Sequence, residues 1–149
     1  MTHTNRPLIL LTNDDGIESP GLRALVKAVA PLGDILVAAP HFQQTGAGRS
    51  FAKITDRRWN RQTWTIGGRQ VTAYSLKGTP AQVTASALID LAPRPVTLAI
   101  SGINFGENVG SGITISGTVG AALEAAAHGV PVLAVSRETP IEYHNSYSD

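Results

Sequence analysis

Short apolar runs closed by turn residues alternate along this chain with stretches whose apolar residues recur at helical spacing. Pro7-Leu8-Ile9-Leu10-Leu11-Thr12 is the first run, and it reads as a buried strand. Ser19-Pro20-Gly21 then offers a cap followed by proline at the first helical position, and Leu22, Leu25, Val26 and Val29 form one stripe. Pro31-Leu32-Gly33 stops that helix, and Asp34 to Pro40 is a second buried strand. Strand, helix, strand in this order predicts a parallel pair with a right-handed crossover. Thr79 caps a further helix with Pro80 at its start and Val83, Ala87, Leu88 and Leu91 on one face, before Pro93 and Pro95 end it. Val96 to Ile100 is the next strand and runs into Ser101-Gly102-Ile103-Asn104. A glycine-rich loop over 105–115 leads to Ser116-Gly117-Thr118, which opens an alanine-rich helix to about His128. Pro131 to Val135 is the last strand, followed by a polar tail from Ser136 to Asp149.

One stretch departs from the alternation. Lys53, Arg57, Arg58, Arg61 and Arg69 stand against the single acid Asp56, with Trp59 and Trp64 between them. Thr63 to Ile66 and Val71 to Leu76, joined by Gly67-Gly68, resemble a hairpin. The expected fold class is therefore α/β, a Rossmann-like and mostly parallel sheet with helices on both faces, plus a basic hairpin excursion around residues 53–76. Basic residues with aromatics also suit nucleic acid. A net charge of +1 over 149 residues argues against it, so the tryptophans are expected to pack against the body or a partner subunit. A content of 42% hydrophobic and 15% charged residues fits one folded domain rather than a disordered chain. The absence of cysteine excludes disulfides and thiolate metal sites and fits a reducing compartment. With no apolar leader and no run of membrane-spanning length, the expected location is cytoplasmic, without a membrane partner.

The chemistry concentrates where the strands end. Asn13-Asp14-Asp15-Gly16 follows the first strand, Thr45-Gly46 lies in the loop after the second, and Asn104 follows the Val96–Ile100 strand. In open α/β sheets such loops meet at one rim, where ligands bind. Two neighbouring carboxylates repel, and a hard divalent cation relieves that repulsion. Two carboxylates, a hydroxyl and an amide carbonyl, with no soft ligand, favour Mg2+ or Mn2+ over zinc. Ser116-Gly117-Thr118 at a helix start makes an anion seat, to which Asn108 could add an amide donor. Each residue also has an ordinary use. Asp15-Gly16 is a surface turn by composition, Thr45 a turn hydroxyl, Asn104 a holder of loop backbone, and Ser116 or Thr118 a helix cap. Among the histidines, only His41 lies in a loop near the expected site, and none is spaced for a metal.

Asn-Asp-Asp-Gly, the Thr-Gly loop, Lys77-Gly78-Thr79-Pro80, Ser101-Gly102-Ile103-Asn104 and Ser116-Gly117-Thr118-Val119 occur in an order that resembles the survival protein SurE family. Those proteins are metal-dependent nucleotidases acting on nucleoside monophosphates. The resemblance runs from about Leu8 to Val135 and implies one divalent ion, Mg2+ or Mn2+, per subunit. It makes Asp14 and Asp15 metal ligands and catalytic residues, and Asn104 completes the site. Thr45 falls where the family usually has a metal-binding serine. Asn108, Ser116, Gly117 and Thr118 fall where the family holds phosphate. The implied activity is hydrolysis of nucleoside 5′-monophosphates, with 3′-monophosphates left open, in a homodimer or homotetramer. Two departures accompany it. Ser111 to Ile115 replaces acidic residues and a tyrosine found in many relatives, and family members run well past this length, with an arm exchanged between subunits. The expected organisation is thus a single SurE-like α/β domain over 1–149 without the family's C-terminal portion, and a nucleotide-binding or assembly module without turnover is the alternative. A covalent aspartyl mechanism is disfavoured because the two aspartates are adjacent rather than separated by one residue.

Overall fold

The computed structural model describes residues 6–140. Within them the strands β1 (Leu8–Thr12), β2 (Asp34–Pro40), β3 (Asn60–Ile66), β4 (Arg69–Leu76), β5 (Leu98–Phe105) and β6 (Val132–Arg137) form one sheet in the order β3-β4-β2-β1-β5-β6. Every pairing is parallel except β3 with β4. The α/β expectation holds, and β1 sits at the centre because all five of its residues are buried.

Alternation along the central strands builds two cores. Ile9, Leu11, Val37 and Ile100 face α1 (Pro20–Val29), whose Leu22, Leu25, Val26 and Val29 are the predicted stripe. Leu8, Leu10, Leu36, Ala38 and Ala99 face the other side, where Val83 of α2 (Pro80–Ser86) and Ala125 of α4 (Gly117–Ala127) cover them. Thr79 closes a capping box with Gln82 at the start of α2, and a turn of π-helix at Ala87–Leu91 extends that helix.

Three details differ from the sequence expectation. The basic hairpin is part of the sheet: β4 pairs in parallel with β2, from Val37 against Ala73 to Pro40 against Leu76. The tryptophan expectation holds for Trp64, which is buried in the α1-side core under the guanidinium of Arg23 at 4.3 Å. Secondly, β5 does not stop at Ile100. A register shift between Ser101 and Asn104 carries it on to Phe105, so Asn104 sits within the strand. Gly102 makes this possible, having φ +137 and no room for a Cβ beside the Val135 carbonyl. Thirdly, β6 continues through Ser136 and Arg137, and the short helix α3 (Gly112–Ile115) interrupts the glycine-rich loop. The remainder of the expected polar tail, 141–149, lies outside the described residues, as do His3 and His144.

The chain leaves β1 for β2 on one side and returns on the other as β5, so strand order reverses between β1 and β5. That switch point opens a crevice at the carboxyl ends of the strands.

Candidate active site

A cleft of about 260 Å3 occupies that crevice, lined among others by Asp14, Asp15, Thr45, Asn104, Asn108 and Ser116. The turn after β1 is set by Asn13, which is fully buried. Its amide donates to the Gly16 carbonyl at 2.9 Å and its Oδ1 accepts from the Gly16 N–H at 3.2 Å. Gly16 takes φ +96 against the backbone of Phe42 and Gln43. This tight turn places Asp14 and Asp15 side by side, each 5% exposed.

The two carboxylates are held differently. Asp14 Oδ1 accepts the hydroxyl of Thr118 at 2.6 Å, and the backbone amides of Gly117 and Thr118 also reach this carboxylate. Burial nevertheless pushes the Asp14 carboxyl above its ordinary range. Asp15 Oδ2 accepts the Phe105 N–H at 2.9 Å, and Gln43 Nε2 stands 3.5 Å from Oδ1. Burial, and then the neighbouring Asp14 charge, push Asp15 up to about 6.

The neutral donors complete the set. Asn104 Nδ2 donates to the Gly106 carbonyl at 2.7 Å, which fixes the amide orientation. Its Oδ1 accepts no hydrogen bond among the described residues, and the Thr45 hydroxyl has no partner among them either. Among the described residues no three His, Cys, Asp or Glu side chains gather at one point. A cation here would therefore combine two carboxylates with neutral oxygens and water. That all-oxygen set, with two disfavoured negative charges and unused carbonyl and hydroxyl oxygens, fits a small hard ion.

The start of α4 serves two sides. Ser116 lines the cleft and its Oγ accepts the Val119 N–H at 3.2 Å, so the capping use is realised. Gly117 and Thr118 are buried behind Asp14, and the Thr118 hydroxyl is committed to it. Asn108 donates to Ser136 Oγ at 2.7 Å from the cleft wall. His41 does not line the cleft; its Nδ1 pairs with Ser75 Oγ at 3.0 Å.

Sequence reasoning missed Gln43, the Phe105 amide, and the pair Arg49–Glu124. Glu124 carried a signal: it is the lone acid in an alanine-rich helix of buried residues. Its carboxylate accepts from Arg49 Nε at 2.8 Å, out of the loop that carries Thr45.

Comparisons with known proteins bear on the family and the fold. The family model described as survival protein SurE matches residues 9–148. A 5′-nucleotidase SurE from Methanopyrus kandleri is 46% identical over 130 residues, covering 87% of this chain and 48% of that protein. The protein of the same name from Methanoculleus marisnigri is 49% identical over 132 residues, covering 88% and 48%. The crystal structure of the SurE protein from Aquifex aeolicus superposes with a TM-score of 0.70 at 33% identity, covering 95% of this chain and 56% of that one. This chain spans about half the length of the curated relatives it matches. With the family model matching residues 9–148 of this chain and the fold shared with a SurE structure, the chain belongs to the survival protein SurE family.

Proposed function

We propose that this chain carries the catalytic cleft of a metal-dependent phosphomonoesterase that hydrolyses nucleoside 5′-monophosphates to nucleoside and phosphate. One observation carries the reading: oxygen donors from three separate segments, Asp14 and Asp15 after β1, Thr45 after β2 and Asn104 near the end of β5, line a single cleft at the sheet's switch point. Those four residues would hold one Mg2+ or Mn2+ ion. When bound, such an ion supplies positive charge beside the phosphate and lowers the pKa of water. The chain's own groups do the rest. Asp14 or Asp15 would orient the attacking water or take its proton, since both line the cleft where that water would stand. Ser116 Oγ accepts from Val119, which leaves its hydroxyl hydrogen to donate to a phosphate oxygen. Asn108 gives one N–H to Ser136 and keeps the other for the same task. Gly117 and Thr118 act at one remove, by fixing Asp14.

A cytoplasmic setting fits a chain without cysteine. Assembly as a homodimer or homotetramer belongs to the same proposal, supported by the exposed Leu123 and Leu133 on α4 and β6. Activity on 3′-monophosphates is tested in the same panel. The experiment is phosphate release by the purified chain from nucleoside 5′- and 3′-monophosphates with Mg2+, Mn2+ or chelator. Metal-dependent release that falls by about 100-fold or more in Asp14→Asn and Asp15→Asn is the expected result. Full turnover in either variant ends the assignment. A second reading is a nucleotide-binding module without turnover. Nucleotide binding by equilibrium dialysis with no phosphate release would establish it.

A further inference from the structure

Helix α4 holds one residue of the candidate metal site directly and the loop that carries another. Its first residues hold Asp14 through the Thr118 hydroxyl and two backbone amides. Six residues on, about 9 Å along the axis, Glu124 holds Arg49 at 2.8 Å. Arg49 lies four residues after Thr45 in the connection between β2 and β3, and the stretch from Gln43 to Ser50 contains no helix or strand to fix its shape.

That stretch is anchored at a few points only. The Gln44 N–H donates to the Asp14 carbonyl at 2.7 Å, and the Gly48 N–H to the Ile115 carbonyl at 2.9 Å. Gly48 lies so close to α4 that a Cβ on Gly120 would stand 2.0 Å from its carbonyl oxygen. Thr45 hangs between the anchor at Gln44 and those at Gly48 and Arg49, exposed and without a hydrogen bond of its own among the described residues. The Arg49–Glu124 contact is the only charged one of these anchors. The side chain of Glu124 is 7% exposed, and its second oxygen lies 3.5 Å from His128 Nδ1. Glu124 is buried but the Arg49 side chain is 48% exposed, and a pair open to solvent on one side contributes only modestly to net stability, so stability alone does not account for it.

We propose that the Arg49–Glu124 ion pair is a positioning device for the metal site, tying the Thr45 loop to the same helix that holds Asp14. It rests on the metal-binding reading above. Glu124 and Arg49 are positioning residues: neither lines the cleft, and both act through the loop backbone on Thr45. With the pair intact, Thr45 Oγ and the two carboxylates form a preorganised set, and the cation does not have to order the loop as it binds. Without it, part of the binding free energy goes to ordering residues 44–50.

The test is Mn2+ titration of the full chain by calorimetry, with hydrogen exchange of residues 44–50 measured in chelator. Arg49→Ala and Glu124→Gln are compared with Arg94→Ala. The last breaks the Arg94–Asp34 pair, 2.6 Å long and away from the cleft. Arg49→Ala and Glu124→Gln are expected to raise the Mn2+ Kd by about tenfold, the usual effect of removing a group that orients a ligand, and to speed exchange across 44–50. Arg49→Lys keeps the charge and falls between wild type and Arg49→Ala. Should Glu124→Gln fold poorly, Arg49→Ala and Arg49→Lys at the exposed partner decide the matter. Unchanged Kd in Arg49→Ala, or an equal loss in Arg94→Ala, overturns the proposal. Failure of the wild-type chain to bind Mn2+ at all sinks the metal reading itself, and the positioning role with it.

Discussion

Asp15 sits where burial and a like charge both work against its ionised form. Its carboxyl rises from 3.8 to about 6 through burial and then through the Asp14 charge. A carboxyl with a raised folded-state pKa binds its proton more tightly folded than unfolded, so ionising it destabilises the fold. That penalty is absent below about pH 4, grows between the ordinary carboxylate value and about 6, and is full at neutral pH. Asp15→Asn is therefore expected to stabilise the metal-free chain at pH 7 by up to about 2–3 kcal/mol, seen as a higher Tm in chelator. At pH 4 the two proteins should melt together. Mn2+ should then reverse the order at pH 7, raising the wild-type Tm and leaving the variant's nearly unmoved. A variant that melts below wild type in chelator at pH 7 contradicts this account of the site. The strain was partly legible in the sequence, because two adjacent carboxylates after an apolar run are costly in any fold. What the sequence withheld was the remedy already present in the chain: the Thr118 hydroxyl and the Phe105 amide, more than eighty residues away, each accepted by one of the pair.

At the scale of elements, α4 explains why Ser116-Gly117-Thr118 was readable as an anion seat and yet only half described by it. A helix start offers the same amides and the same dipole to a phosphate or to a carboxylate. Here the chain's own Asp14 occupies the inner part of that seat, while Ser116 faces the cleft. Gly117 is where the two demands meet. In a helix alone, alanine is better than glycine by about 1 kcal/mol. At this position an added Cβ would stand 2.6 Å from Asp14 Cβ and 2.9 Å from its Oδ2. Overpacking of that kind costs about 1–3 kcal/mol, so the clash outweighs the propensity gain. Gly117→Ala should lower stability in urea unfolding and weaken Mn2+ binding together. A gain in stability would show that the contact between α4 and the β1 turn is loose. The boundaries of β5 were hidden for a related reason. Ser-Gly-Ile-Asn reads as a turn, and only the close approach of Val135 to Gly102 reveals a bulged strand that continues to Phe105.

Across the whole molecule, the alternation of apolar runs and helical stripes predicted β1, α1, β2 and the parallel pairing of the two strands, because each element is specified by local pattern. The placement of the 53–76 segment was not local. Its arginines at 57, 58, 61 and 69 are exposed, and their composition dominates the stretch and makes it look like a solvated appendage. The deciding residue is Trp64, at 4% exposure, which joins the same core as Ile9, Leu11 and the α1 stripe. Once Trp64 is inside, register follows: Trp64 opposes Val71 on β4, and β4 lies against β2 through Ala73 and its neighbours. Of the exposed arginines, Arg61 lies on the edge strand β3 itself, where charge discourages pairing with other chains. If the hairpin is a structural third of the sheet, Trp64→Ala should cost about 3–5 kcal/mol in urea unfolding. Trp59→Ala should cost less, since Trp59 is only half-buried and meets Tyr74 edge-on with ring centres 6.4 Å apart. Near-equal effects, or a Trp64→Ala protein as stable as wild type, would mean the hairpin is an appendage after all. The α1-side core would then have to close without Trp64, with the Arg23 guanidinium above it left unstacked.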